Sequence, residues 1–214
     1  MKALMKKEWR LAMMPVPLLF LALSALVLVP NYPYYVTFFY TTLGIFLFFQ
    51  AARENRDIAY MLLLPVKKQQ MVYARVWTVV QIELLQLVCC VPFMLVRAGY
   101  GIQNAVGIEA NCAFLGFGAV LLGVFNSVFL PMHYKNGYDL GKPFIVSSIV
   151  MFFGICILEV LEHIVPYMKT VCERYDIAGQ VQQLPVLFGG LLVYAGLTAL
   201  AARRSAKRFE KADL

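Results

Sequence analysis

Six apolar stretches separated by polar breaks organise this chain: Leu11–Val29, Tyr35–Ala51, Val76–Val96, Asn111–Met132, Pro143–Leu161 and Leu184–Ala202. About 20 apolar residues reach across a hydrocarbon core of roughly 30 Å at 1.5 Å per residue, so each stretch predicts a membrane span. Lipid offers the backbone no hydrogen bonds, and a helix satisfies its own amides. The expected fold is therefore an all-α integral membrane protein with six transmembrane helices, forming a single transmembrane domain over 1–214. Two longer segments punctuate it: 52–75 after the second stretch and 162–183 after the fifth.

Composition agrees with this pattern. The 214 residues are 61% apolar and 14% charged, and the mean hydropathy is +0.71. A soluble domain carries about a quarter of its residues as charges. The net charge of +7 does not call for nucleic acid, because basic loops facing an anionic leaflet account for it.

Positive residues near spans are retained in the cytoplasm. With the N-terminus inside, every Lys and Arg except Arg97, Lys169 and Arg174 falls on cytoplasmic segments. Both termini are thus expected to be cytoplasmic. The basic start followed by an apolar run resembles a signal peptide with a cleavage site at Ala22-Leu23-Ser24. The run continues to Val29, however, and removing it would leave an odd number of spans and the wrong charge balance. Residues 1–10 are instead expected to form a short amphipathic helix on the inner surface, with Leu4, Met5 and Trp9 toward lipid and the lysines toward water.

Recognisable catalytic chemistry is missing. There is no GxxxxGK[ST] loop to cradle phosphate, no nucleophile elbow, no HExxH and no Gly-rich dinucleotide turn. Cys89, Cys90, Cys112, Cys156 and Cys172 show neither CxxC nor metal-ligand spacing, and only Cys112 is a candidate to reach Cys172 in the outer loop. Glu159, Glu162 and His163, at i, i+3 and i+4, share one helical face and so offer a conceivable metal site. They also lie where a helix leaving the membrane becomes polar. No internal duplication is evident, which argues against a transporter of two matched repeats.

The 52–75 segment, ARENRDIAYMLLLPVKKQQMVYAR, is the long charged interruption of the first half. Arg53-Glu54-Asn55-Arg56-Asp57 is polar, and Ile58–Val66 is nearly continuous apolar sequence. Nine residues span only about 14 Å as a helix, too short to cross. Asn55 or Asp57 can cap its start, and Pro65 should end it near Leu64. The expected element is a short apolar helix ringed by charge, suited either to the lipid interface or to a groove on a soluble partner.

The residues around it resemble a known family, the membrane subunits of bacterial ABC exporters with six spans per subunit and a separately encoded ATPase. Glu54, Arg56-Asp57, Leu64-Pro65 and Lys68 are similar to that family's E-x-R-D…L-P-x-x-K pattern. Leu130-Pro131…Tyr134-Lys135-Asn136-Gly137-Tyr138…Gly141-Lys142 resembles its second cytoplasmic loop, and Arg204-Ser205…Phe209-Glu210-Lys211…Asp213-Leu214 resembles its ending.

The resemblance implies a permease that forms a homo- or heterodimer in the plasma membrane, each subunit docking on an ABC ATPase. ATP and Mg would be held by the ATPase, with no cofactor on this chain. It implies that 52–75 contains the coupling helix, with Arg53, Glu54, Arg56, Asp57, Leu62, Leu63, Leu64, Pro65 and Lys68 as the ATPase-coupling residues. Within the third span, Glu83 is costly in lipid and needs a partner, a water-filled cavity or a proton. With Gln86 on the same face, it is a candidate for the translocation pathway or for a structural bond between helices. Family members fold the region after the fifth span into short re-entrant helices, which makes Glu159, Glu162 and His163 outer-gate candidates. An amphipathic or antimicrobial peptide is the expected cargo. A structural or sensory membrane protein with another soluble partner, and an intramembrane metalloenzyme, are the alternatives.

Overall fold

The computed structural model describes residues 2–9, 15–100, 109–136, 139–172, 174 and 177–212. Among them the regular secondary structure is all helical, with α1 Lys2–Lys7, α2 Pro15–Leu21, α3 Val36–Glu54, α4 Asp57–Leu62, α5 Lys68–Tyr100, α6 Cys112–Asn136, α7 Gly141–Ile164 and α8 Ile177–Glu210. Five helices, α3 and α5 to α8, are long and apolar enough to cross a membrane.

The first expected span takes a different form. Leu11 to Met14 lie outside the described residues. The rest is seven residues of α2 followed by seven of tighter 3-10 helix, Ala22–Leu28. At about 1.5 and 2.0 Å per residue, this reaches roughly 24 Å. The tightening coincides with Ser24, whose hydroxyl donates to Leu21 O at 2.6 Å. Such a bond to the preceding turn competes with regular α-helical geometry.

Two of the helices outlast a bilayer. α5 and α8, 33 and 34 residues long, extend well beyond the expected Val76–Val96 and Leu184–Ala202. Lys68 to Arg75, read from sequence as loop, is the first two turns of α5. Hydropathy detects where lipid begins and is blind to a helix that continues past it. Pro92 lies inside α5 and Pro185 inside α8.

The bundle is centred on α6, 72% of whose apolar window is buried, against 17% for α7. α6 and α8 cross closely because glycines face each other there. A Cβ added to Gly116 would lie 2.6 Å from Val186 O, and one on Gly190 would overlap the Gly116 backbone. Small residues at a crossing let backbones approach where no hydrophobic driving force exists between helices.

Gly189, one residue away, has open space around its Cβ position. Gly190→Leu should therefore lose about 1–3 kcal/mol or more from overpacking, while Gly189→Leu should be near neutral. Denaturant titration of both variants in detergent micelles checks the contrast.

Candidate functional site

The bundle has a basic end, where α1, α4 and the last turns of α8 lie, and an opposite end. At the basic end, α3 stops at Glu54 and the chain reverses through Arg56, which takes a left-handed backbone conformation at φ 50°. That reversal aims α4 back across the end of the bundle. The helix is shorter than expected, ending at Leu62 rather than near Leu64, and a turn then carries Leu63 and Leu64 into Pro65. Met61 is buried, whereas Tyr60, Leu63 and Leu64 are 60%, 84% and 38% exposed. Arg53, Glu54, Arg56 and Pro65 also face outward, with Gln50 donating to Glu54 Oε1 at 3.0 Å.

Asp57 is turned the other way. Its carboxylate accepts a hydrogen bond from Arg75 Nη2 and lies 2.5 Å from Lys7 Nζ. Arg75 Nε and Nη2 also form a fork on the two oxygens of Glu8, each at 3.1 Å, and Lys7 reaches Glu8 at 3.0 Å. Two acids and two bases thus neutralise one another where α1, α4 and α5 meet. Glu8 is wholly buried and Arg75 nearly so. The guanidinium lies 5.7 Å from the ring centres of both Phe48 and Phe49 on α3. Planar, weakly hydrated Arg suits such a site where Lys would not.

This cluster corrects the expected orientation of the N-terminal helix. Leu4 and Lys7 turn into the protein rather than toward lipid and water, because Glu8 must face Arg75. Trp9 stays partly exposed and donates its indole N–H to Gln81 at 2.7 Å.

The three segments picked out by their motifs meet here. Lys68 Nζ donates to Ala212 O at 2.9 Å and sits over the Phe209 ring. Arg208 donates to Pro131 O at 2.7 Å, and the Tyr134 and Phe209 rings pack edge to face. His133, given no role from sequence, is buried between Phe49 and Phe129 and bonds the Asp139 carbonyl at 3.1 Å. Gly137, Tyr138, Asp213 and Leu214 lie outside the described residues.

Deeper in the bundle, Glu83 is fully buried. Its Oε2 accepts from Tyr194 OH at 2.7 Å and from Asn126 Nδ2 at 2.8 Å, joining α5 to α8 and α6. Asn126 also donates to Thr198 at 3.2 Å. Gln86 shares the face of Glu83 but bonds elsewhere, donating to Ser24 Oγ at 2.8 Å. At the opposite end, Arg97 is buried, donating to Val27 O at 3.1 Å and stacking 4.8 Å over Tyr34, with Glu109 at 3.5 Å.

A sequence signal for this arrangement exists. At about 100° per residue, Arg75, Glu83, Gln86 and Arg97 fall within about 80° of one another on α5. Assigning Arg75 and Arg97 to flanking loops hides it.

Glu159, Glu162 and His163 do not converge. Glu162 is buried, whereas His163 is exposed and bonds the Glu159 carbonyl of its own helix at 2.8 Å. Among the described residues, no three His, Cys, Asp or Glu side chains gather as a metal site. Cys112 is a free thiol. After Ile164 the chain makes one turn of π-helix at Met168–Cys172 and enters α8 at Ile177, seven residues before the expected Leu184. Asn111 donates to Cys172 O, and Gln183 donates to Val171 O and Arg174 O at 2.7 and 3.0 Å, folding the turn onto the start of α6.

These features define a multi-pass helical membrane protein whose basic end presents a short apolar helix braced from behind. The chain belongs to the ABC-2 family of transporter proteins, whose family model matches residues 3–209. It is thus an ABC transporter permease, and membership implies association with ABC ATPase subunits. No curated protein and no solved structure matches it.

Two substitutions probe the buried charges. Arg75→Leu leaves the Glu8 and Asp57 carboxylates with Lys7 as their one shared cation among the described residues and should cost about 3 kcal/mol, while Arg53→Leu, at an exposed site, should stay within about 0.5 kcal/mol. Glu83→Leu removes the acceptor of two buried donors, at about 1–3 kcal/mol for each group left unsatisfied, whereas Glu83→Gln retains an acceptor and should unfold close to the parent. Equilibrium unfolding in mixed micelles reads both pairs.

Proposed function

We propose that this chain is the membrane-spanning subunit of an ATP-driven exporter in the plasma membrane. It has six spans with both termini cytoplasmic and works as a homo- or heterodimer whose subunits each dock on a separate ATPase. ATP and Mg belong to the ATPase, and this chain contributes no catalytic residue. The observation that carries the reading is the two-sided build of α4 and the turn that follows it. Leu63 and Leu64 are offered to a groove on the ATPase, with Tyr60 beside them and Arg53, Glu54, Arg56 and Pro65 around them.

Behind this surface, Asp57 grips Arg75 at the start of α5, and Lys68 links the loop to the chain's tail. A push on α4 is therefore delivered to the helix that carries Glu83 about 12 Å further in. In this reading Glu83 and Gln86 belong to the moving polar strip, and the pathway forms when Tyr194 and Asn126 part from Glu83. The exposed apolar face of α7, including Ile145, Ile149, Phe152 and Phe153, supports a second subunit as neighbour. Glu159 and Glu162 stand at the outer exit, with His163 exposed beside it, and an amphipathic peptide is the proposed cargo.

Co-expression with a candidate ATPase tests the docking. Leu63→Glu combined with Leu64→Glu should reduce ATPase co-purification at least about tenfold, since two buried leucines contribute about 1.5–3 kcal/mol each, while leaving micellar stability unchanged. Retention of ATPase by that variant would sink the assignment of α4. In the same reconstituted system, Glu83→Gln with full transport would remove Glu83 from the pathway.

A further inference from the structure

An open groove of about 620 Å³ runs along the outside of the bundle between α5 and α8. Tyr73, Trp77 and Leu84 repeat along one wall, Ala195 and Ala199 along the other, and Arg203 stands at one end. The lining spans twelve residues of α5, Tyr73 to Leu84, and thirteen of α8, Leu191 to Arg203, a length of about 17 Å. That is close to the roughly 15 Å of hydrocarbon in a single leaflet. The alanines of α8 form a shallow floor that larger side chains would fill. Of the lining hydroxyls, those of Tyr194 and Thr198 are engaged with Glu83 and Asn126, so apart from Tyr73 and Arg203 the walls offer a guest a mainly apolar surface.

The mouth carries charge of one sign. Arg203 has no hydrogen bond or ion pair among the described residues, Arg204 is exposed beside it on α8, and Lys6 is exposed next to Met5, which also lines the groove. The nearby acid on α1, Glu8, is buried and already paired with Arg75 and Lys7. A second copy docked here about an axis along the membrane normal would bring two rows of arginines together, which opposes that occupant.

We propose that the α5/α8 groove binds one anionic phospholipid, with an acyl chain along Trp77 and Ala199 and the phosphate at Arg203. An unbranched chain matches the length and apolarity of the groove, and a phosphate matches a guanidinium that has no other partner among the described residues. The proposal rests on the orientation given above only for the leaflet, which is then the inner one.

Trp77 is a built-in reporter, because the chain has only one other tryptophan, Trp9. The full chain carrying Trp9→Phe is reconstituted into phosphatidylcholine bilayers containing either brominated phosphatidylglycerol or brominated phosphatidylcholine. Quenching of Trp77 should favour the anionic lipid roughly fivefold, about what one arginine at an anionic surface supplies. Arg203→Glu should remove the preference and Ala199→Phe should reduce it by filling the groove, while Arg204→Glu should largely retain it.

Equal quenching by both lipids overturns the proposal. So does an equal loss with Arg204→Glu, which would mean surface potential alone, or an unaltered preference with Ala199→Phe. If Trp9→Phe fails to insert, native mass spectrometry of the unsubstituted chain reads the same question through retained phosphatidylglycerol, with loss expected for Arg203→Glu. No ATPase or transport measurement enters, so failure here would leave the permease reading standing.

Discussion

An ionisable group held inside a membrane protein must be matched by something, and α5 carries three of them on one face. Arg75, Glu83 and Arg97 each recruit a different part of the chain. Arg75 draws in Glu8 from the N-terminal segment and Asp57 from α4. Glu83 collects Asn126 and Tyr194 from α6 and α8. Arg97 takes the Val27 carbonyl and the Tyr34 ring. Van der Waals packing between lipid-compatible helices is nearly indifferent to which faces meet, so these polar appointments specify the arrangement. Apolar packing then fills in, most tightly where Gly116 and Gly190 let α6 and α8 touch.

The same economy explains why α1 is not a detached raft on the membrane surface. A helix with Glu8 on its apolar side would be a poor lipid binder. Turned so that Glu8 meets Arg75, it brings Leu4 into the core and Lys7 onto Asp57. The short helix α4 is then braced from behind by a segment more than 45 residues earlier in the chain, and a surface that would otherwise be a soft loop becomes firm.

Much of this was legible in the sequence. Long apolar runs predicted the spanning helices because length and hydropathy are what lipid selects, and the 52–75 segment was recognisable as a short apolar helix because Pro65 and its flanking charges bound it. The first stretch escaped, since hydropathy does not distinguish α-helix from the tighter form that Ser24 accompanies. Helix lengths at the membrane edge escaped for the opposite reason: polar residues from Lys68 to Arg75 read as loop although nothing there breaks a helix. The site residues divide likewise. Leu63 and Leu64 face outward as their apolarity beside charge suggested, but no local pattern announces that Asp57 turns inward to an arginine eighteen residues on, or that Glu8 joins them.

Length gives α5 a mechanical character of its own. Glu83 stands near its midpoint, roughly 22 Å from Lys68 and 26 Å from Tyr100, and is the point at which the helix is fastened to α6 and α8. A rod pinned at its centre behaves as a see-saw: displacing one end swings the other in the opposite sense by a similar amount. Pro92 lies on only one of the two arms, where it removes a backbone hydrogen bond. The arm that ends at Arg75 and Lys68 is the stiff one and the arm that ends at Arg97 is the compliant one, so a displacement of the Lys68 end would reach Glu83 undiminished while the far arm can bend.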